Sequence, residues 1–288
     1  MSLRYDAIRD IEVKHVRRFG KASLFVLLAS FPVTLLVGCA GGGEDHAVHW
    51  GYTEHDGPER WADLSPDWAL CAEGQRQSPV DLGGAVVGGT FSLSQDYKPA
   101  GLRATRNEHV VDVLDNGHTV QVTYDEGSTL DVDGMEFELL QYHFHSPSEH
   151  TLDGRHAPGE LHLVHQSETG ELAVIGVLME IGAYNHALAP IIDNLPSELG
   201  ETVHLEHITV DIDELLPAGD EYYRYSGSLT TPPCWEDVRW FVMVESIEVS
   251  EEQAAKGKYS AEANNRPVQP LLQRQVTIEE ASGEYADL

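Results

Sequence analysis

A period of two residues restricts this chain more than any other feature. From residue 90 onward apolar and polar side chains alternate in short runs, 110–114, 119–124, 137–145, 161–166, 172–179 and 239–249, with turn residues between them. Alternation at that spacing puts successive side chains on opposite faces of a strand, so the runs predict a mainly β chain. Asn116-Gly117, between two of the runs, predicts a hairpin because both residues tolerate positive φ. Helix is expected only as decoration, for example a short one capped by Asn185 that runs to about Asn194 and stops before Pro196. No linker composition or solenoid repeat divides the chain after residue 50, so its 288 residues predict one large domain rather than two small ones.

The first 38 residues follow a different rule. Arg4, Arg9, Lys14, Arg17, Arg18 and Lys21 precede an apolar run over 24–37 that ends Leu36-Val37-Gly38-Cys39. A basic stretch, an apolar core and small residues at its end predict an export signal over 1–38. The last four residues resemble a bacterial lipobox, which implies cleavage before Cys39, lipid attachment to that cysteine and a flexible Gly-rich tether over 39–48. The alternative is a membrane-spanning anchor, but the run is shorter than the ~20 residues a spanning helix needs, and Pro32 interrupts it. Arg17-Arg18-Phe19 resembles a twin-arginine signal too loosely to choose an export route. The expected location is the cell envelope, lipid-anchored at its periplasmic or outer surface, otherwise periplasmic or secreted.

Charge excludes one class of partner. The chain has 18 Lys and Arg against 48 Asp and Glu, and loss of residues 1–38 removes six basic and three acidic side chains, leaving a formal charge of about −33. A surface of that sign repels phosphate backbones, so no nucleic-acid partner is expected. With Cys39 taken by lipid, Cys71 and Cys234 remain, either as a pair in an oxidising compartment or as two unpaired thiols.

Within the alternating runs, Gln141-Tyr142-His143-Phe144-His145 sends Gln141, His143 and His145 to one face and Tyr142 and Phe144 to the other. Two imidazoles spaced by two on a strand can converge on one ion. In the run from Glu160 to His165, the same parity groups Glu160, His162 and Val164 on one face and Leu161, Leu163 and His165 on the other. If the two strands are neighbours, His162 completes a set of three neutral nitrogens with an open fourth position, the composition of a catalytic zinc site. Any one of the 15 histidines taken alone is more often a core or surface residue than a ligand. Gln141 and Glu160 raise the odds, since each lies two positions from a proposed ligand and can accept its far N–H, fixing the tautomer.

These residues belong to a longer ordered set: His49-Trp50-Gly51-Tyr52, Gln77-Ser78-Pro79-Val80-Asp81, Asn116-Gly117-His118, residues 141–150, residues 160–165, Ser228-Leu229-Thr230-Thr231-Pro232-Pro233-Cys234 and Asn265-Arg266-Pro267-Val268-Gln269-Pro270. In that set the chain resembles an α-class carbonic anhydrase of the bacterial type, over nearly all of its length after the signal. The resemblance implies a catalytic domain over 49–278 with an acidic tail over 279–288, in an α+β fold built on a large, mostly antiparallel central sheet with short peripheral helices. It implies one catalytic Zn2+ on His143, His145 and His162, and reversible hydration of carbon dioxide to bicarbonate and a proton through zinc-bound hydroxide.

Other roles come from the resemblance alone. Thr230 accepts from the hydroxide and donates to Glu149; without the family, Thr230 and Thr231 read as turn residues before Pro232. His118 is the proton shuttle, where the residues by themselves also allow an exposed hairpin histidine. Val164, Val174, Leu229, Thr231 and Trp240 line the carbon dioxide pocket, a use compatible with simple core packing. Cys71 and Cys234 form a disulfide, while His150 and His165 are hydrogen-bonded structural residues. Two positions depart from the common pattern: Ser146, where animal relatives usually carry tryptophan, and Ser226, often proline, which is expected to loosen the segment before Thr230. A non-catalytic binding module on the same scaffold requires a broken ligand set, and a dedicated esterase requires an acyl pocket; neither feature is present. The expected small-molecule partners are carbon dioxide, bicarbonate and water, with monomer and homodimer both open.

Overall fold

The computed structural model describes residues 48–88, 93–96, 111–116, 118–123, 127–198, 200–205, 210–256 and 263–281. The expected signal (1–38), Cys39, all but the last residue of the tether (39–48), Gly117 and most of the acidic tail lie outside the described residues. The strands, in chain order, are β1 (Val86–Val87), β2 (Leu93–Asp96), β3 (Val111–Asp115), β4 (Val120–Thr123), β5 (Thr129–Val132), β6 (Met135–His145), β7 (Thr151–Leu152), β8 (Arg155–His156), β9 (Gly159–Ser167), β10 (Leu172–Ile181), β11 (Thr202–Leu205), β12 (Glu221–Ser228), β13 (Glu236–Met243), β14 (Ile247–Val249) and β15 (Thr277–Glu280). Among the described residues, thirteen of them form one sheet whose main path runs β1-β15-β12-β13-β10-β9-β6-β4-β3-β11, and β7 pairs with β8 apart from it. Most neighbours are antiparallel; β10 runs parallel to β13 and β14, and β1 to β15. From His49 onward the chain is one compact unit.

The run over 137–145 is not one regular strand. Pairing with β9 opposes Leu139 to His165 and then Gln141 to Val164, so Leu140 is an extra residue, a β-bulge. A bulge reverses parity. Before it the odd residues Phe137 and Leu139 enter the core; after it the even residues Tyr142 and Phe144 do, packed with Leu161, Leu163, Ile175 and Val177. The odd residues Gln141, His143 and His145 therefore face away from that core cluster. In an unbulged strand the two histidines would share the face of Phe137 and Leu139.

Two other expectations need correction. The run over 239–249 is two strands, because β13 lies along residues 172–176 of β10 and β14 along 179–181, with Val244 to Ser246 turning between them. The helix expected from Asn185 to about Asn194 is a single turn, Ala189–Ile192. Asn185 does cap the preceding turn, its Oδ1 accepting from the Leu188 N–H at 3.1 Å.

The core face of β9 carries a titratable group, His165, opposite Leu139 and Ala173. Burial drives its imidazole down to about 3, and backbone hydrogen bonding at Ala173 and Leu163 only partly opposes this. The unfolded chain takes up this proton near pH 6.5 while the fold refuses it until about 3, so the stabilisation is complete above pH 6.5 and is lost as pH falls through that window. His165→Leu is expected to lose roughly 2–4 kcal/mol less stability than the parent between pH 7 and 4, as measured by urea unfolding. Equal losses would remove His165 from the acid response.

Candidate metal centre

Across β6, β9 and β10 the register opposes His143 to His162, His145 to Glu160, and His162 to Gly176. Opposed residues share a face, so the parity read from each strand becomes one cluster. His143, His145 and His162 each offer a ring nitrogen, and these atoms all lie within 4.8 Å of one another. Gly176 leaves room for the acid beside them; a Cβ there would meet Glu160 Oε1 at 3.0 Å.

Hydrogen bonds decide which nitrogen each ring presents. His143 Nδ1–H donates to Gln141 Oε1 at 2.9 Å and His145 Nδ1–H to the Asn264 carbonyl at 2.7 Å, which leaves an Nε2 lone pair on both. His162 is reversed: its Nε2 sits 2.9 Å from Glu160 Oε1, so the lone pair is on Nδ1. His145 Nε2 is buried without a hydrogen-bond partner. A buried imidazole nitrogen left in that state beside two others fits a cation.

Electrostatics favour neutral rings at His143 and His145 and oppose one at His162. Burial pushes His143 well below the usual imidazole range, reinforced by His145 and His162, and burial lowers His145 against the pull of Glu149. For His162 burial also acts downward, but Glu160 outweighs it and raises the ring. Burial would raise Glu160 itself, yet His150 and His162 hold its carboxyl well below the usual range. Glu160 Oε2 accepts the N–H groups of Glu149 and His150, both at 2.8 Å, while Oε1 also contacts His150 Nδ1 at 2.6 Å. His150 Nε2 in turn meets the Tyr225 hydroxyl at 2.6 Å, and that hydroxyl donates to Ser78 Oγ at 2.9 Å. His150, Glu160 and His162 also lie close enough to suggest a metal trio, but contacts of 2.6 and 2.9 Å are hydrogen-bond distances and leave no space for an ion. Glu160→Gln is expected to weaken zinc binding roughly 10- to 100-fold, read by competition with a chromophoric chelator. An unchanged affinity would reduce Glu160 to a packing residue.

The remaining predicted residues are distributed around this cluster. Val164, Val174 and Trp240 are direct neighbours across β9, β10 and β13, and all are on the histidine face. Leu229, Thr230 and Thr231 follow β12 in a loop closed by Leu229 N–H to Trp235 O (2.9 Å) and Cys234 N–H to Thr231 O (2.8 Å), and Cys71–Cys234 is a disulfide. Ser226 lies within β12 opposite Arg239, and its carbonyl accepts from Arg274 at 3.0 Å. No Thr230–Glu149 hydrogen bond is present among the described residues. Glu149 Oε1 accepts the Arg266 N–H at 2.8 Å, and Oε2 is buried without a hydrogen-bond partner, 3.5 Å from His145 Nε2. The His118 ring stacks on Trp50 with centroids 3.7 Å apart and planes at 8°.

Two residues of the site carry no local signal. Asn264 orients His145 through its carbonyl, and Arg266 holds Glu149 through its N–H while its guanidinium binds Gln77 Oε1, Ser78 O and Cys71 O. Both sit in an irregular stretch where no periodicity marks them, although Arg266 belongs to the Asn265-Arg266-Pro267 string that follows Asn264.

Comparison with known proteins agrees with this geometry. The eukaryotic-type carbonic anhydrase family model matches residues 56–280. A carbonic anhydrase of a Nostoc species is 46% identical over 234 residues, covering 80% of this chain and 85% of its own length. One from Neisseria gonorrhoeae is 41% identical over 254 residues, covering 86% and 96%. The solved structure of the α-carbonic anhydrase from Thermovibrio ammonificans superposes with a TM-score of 0.74 at 41% identity, covering 81% of this chain and all of that one. With the three oriented imidazoles, the bulged ligand strand and these likenesses together, the chain belongs to the α-class carbonic anhydrase family.

Proposed function

We propose that this protein is a zinc-dependent carbonic anhydrase that interconverts carbon dioxide and water with bicarbonate and a proton. The observation that carries this reading is the clustering of three imidazoles with ring nitrogens within 4.8 Å of one another, His143 and His145 each donating through Nδ1 and His162 Nε2 lying 2.9 Å from Glu160 Oε1. Three nitrogen donors without thiolate, leaving a fourth position open, suit catalytic rather than structural zinc. Zinc, when bound, acidifies water at neutral pH, a chemistry for which this family is the standard example.

The chain's own residues do the rest. Val164, Val174 and Trp240 form an apolar surface suited to carbon dioxide, which offers no strong hydrogen-bonding group, and Leu229 and Thr231 extend it from the neighbouring loop. Glu149 Oε2, buried and lacking a donor, is suited to accept the Thr230 hydroxyl proton. With its proton so directed, Thr230 Oγ1 can only accept, which selects a hydrogen-bond donor at the reacting position. His118 carries the proton toward solvent, because imidazole exchanges protons readily near neutral pH.

We also read residues 1–38 as a lipoprotein-type signal and Cys39 as the lipidated residue, with the enzyme tethered in the cell envelope. The basic stretch, the apolar run and the Leu-Val-Gly-Cys end support this. Stopped-flow carbon dioxide hydration by the zinc-loaded protein, before and after removal of zinc by dipicolinate, tests the catalytic proposal. Activity that vanishes with the metal and returns on zinc addition is expected, and activity indifferent to both would overturn it.

A further inference from the structure

The sheet that holds the ligands ends too early to hold His118. Pairing of β4 with β6 stops at Gln121 opposite His143, so the main chain at His118 and Phe144 lies beyond the last rung of the ladder. The side chain of Asn264 continues the connection. Asn264 Nδ2 donates to the His118 carbonyl and to the Phe144 carbonyl, both at 3.0 Å, while its Oδ1 accepts the Ser146 N–H at 2.8 Å. Its backbone carbonyl accepts from His145 Nδ1 at 2.7 Å. One planar amide, only 8% exposed, thereby joins the main chain on both sides of His145 to the main chain of His118. Nearby, Thr119 Oγ1 accepts the Phe144 N–H at 3.2 Å, which stitches the same seam. The His118 ring has a second anchor in the Trp50 stack.

We propose that the side-chain amide of Asn264 is a positioning residue that sets the place of His118 relative to the ligand strand, and so controls proton export without touching the reacting atoms. This rests on the reading of His118 as the proton carrier. An amide is required because both faces of its chemistry are used: two carbonyls need a donor and one N–H needs an acceptor. Aspartate has the same shape but turns an oxygen toward the His118 and Phe144 carbonyls, where repulsion replaces two hydrogen bonds. His118 then loses the hydrogen bond at its carbonyl and keeps the one from its N–H to Asn116 Oδ1 (3.0 Å), while Ser146 keeps its acceptor.

The test uses the full-length, zinc-loaded protein with Asn264→Asp, Asn264→Ser and His118→Ala. For both Asn264 variants, kcat in weak buffer is expected to fall by a factor roughly five or more times larger than the fall in kcat/KM, which does not include proton export; added imidazole restores this excess loss. Independently of activity, the His118 ring proton resonances, shielded by the Trp50 stack, should move toward their unstacked positions in both variants. Simple loss of folded protein would lower kcat and kcat/KM by the same factor and would not respond to imidazole, so that pattern overturns the proposal. If His118→Ala shows the buffer-dependent deficit and the Asn264 variants keep wild-type kcat and His118 shifts, the Asn264 inference alone fails. If His118→Ala shows no deficit, the shuttle reading fails and the proposed control of proton export fails with it.

Discussion

His162→Ala is expected to bring carbon dioxide hydration down to the uncatalysed rate and to leave the purified protein without stoichiometric zinc. His143 and His145 come from one strand two residues apart, and by themselves they form half of a tetrahedral site. In the proposed centre His162 closes the set from the neighbouring strand and offers Nδ1, because its Nε2 lies 2.9 Å from Glu160 Oε1. Its removal therefore exceeds the roughly 10- to 100-fold cost of losing an orienting partner such as Glu160. The fold should survive, because Glu160 keeps the N–H groups of Glu149 and His150 and the His150 ring as partners. The checks are metal content, stopped-flow hydration and a thermal melt on the same sample. Folded His162→Ala protein with zinc and near-parental activity would remove His162 from the metal centre.

The second large effect is on stability. Cys71 and Cys234 are 163 positions apart, and closing a loop of that length removes unfolded-state entropy worth up to roughly 5 kcal/mol in the chain-entropy model, with about 2–5 kcal/mol typical when a native bridge is lost. The bridge also has local partners. Both half-cystines pack with buried Trp61 and with Trp50, Tyr52 and Trp68, and the Arg266 guanidinium binds the Cys71 carbonyl at 2.8 Å. The Cys71→Ser, Cys234→Ser double variant is expected to melt about 5–20 °C below the parent. Activity at 25 °C should fall less than stability, because Gln77 Nε2 still holds the Cys234 carbonyl at 3.1 Å and the Leu229–Trp235 bond still closes the Thr230 loop. A melting temperature within about 2 °C of the parent would show that the bridge contributes little.

Much of the centre was legible in the residues. The parity of Gln141, His143 and His145 against Tyr142 and Phe144, and of Glu160, His162 and Val164 against Leu161 and Leu163, matches the observed register residue by residue. Other parts were legible only through resemblance. Val174 stands opposite Val164 through the antiparallel pairing of β9 with β10, but Trp240 stands beside Val174 only because β10 runs parallel to β13, a pairing that no turn signal announces. The bond expected between Thr230 and Glu149 is not present among the described residues.

Two or three adjacent dihedrals suffice to place the strands, the faces their side chains take and the acceptors two positions from the histidines. Long-range packing sets what remains. The bulge at Leu140 arises only when β6 is laid against β9, since an extra residue is defined by the partner it fails to oppose. Without it the parity of 141–145 would be unchanged, but its histidines would share a face with Phe137 and Leu139. Asn264 and Arg266 reach His145 and Glu149 across 119 and 117 residues of chain. A hydrogen bond between such distant segments leaves no periodic trace, because its geometry is set by the packing of the whole sheet and not by the residues next to either end.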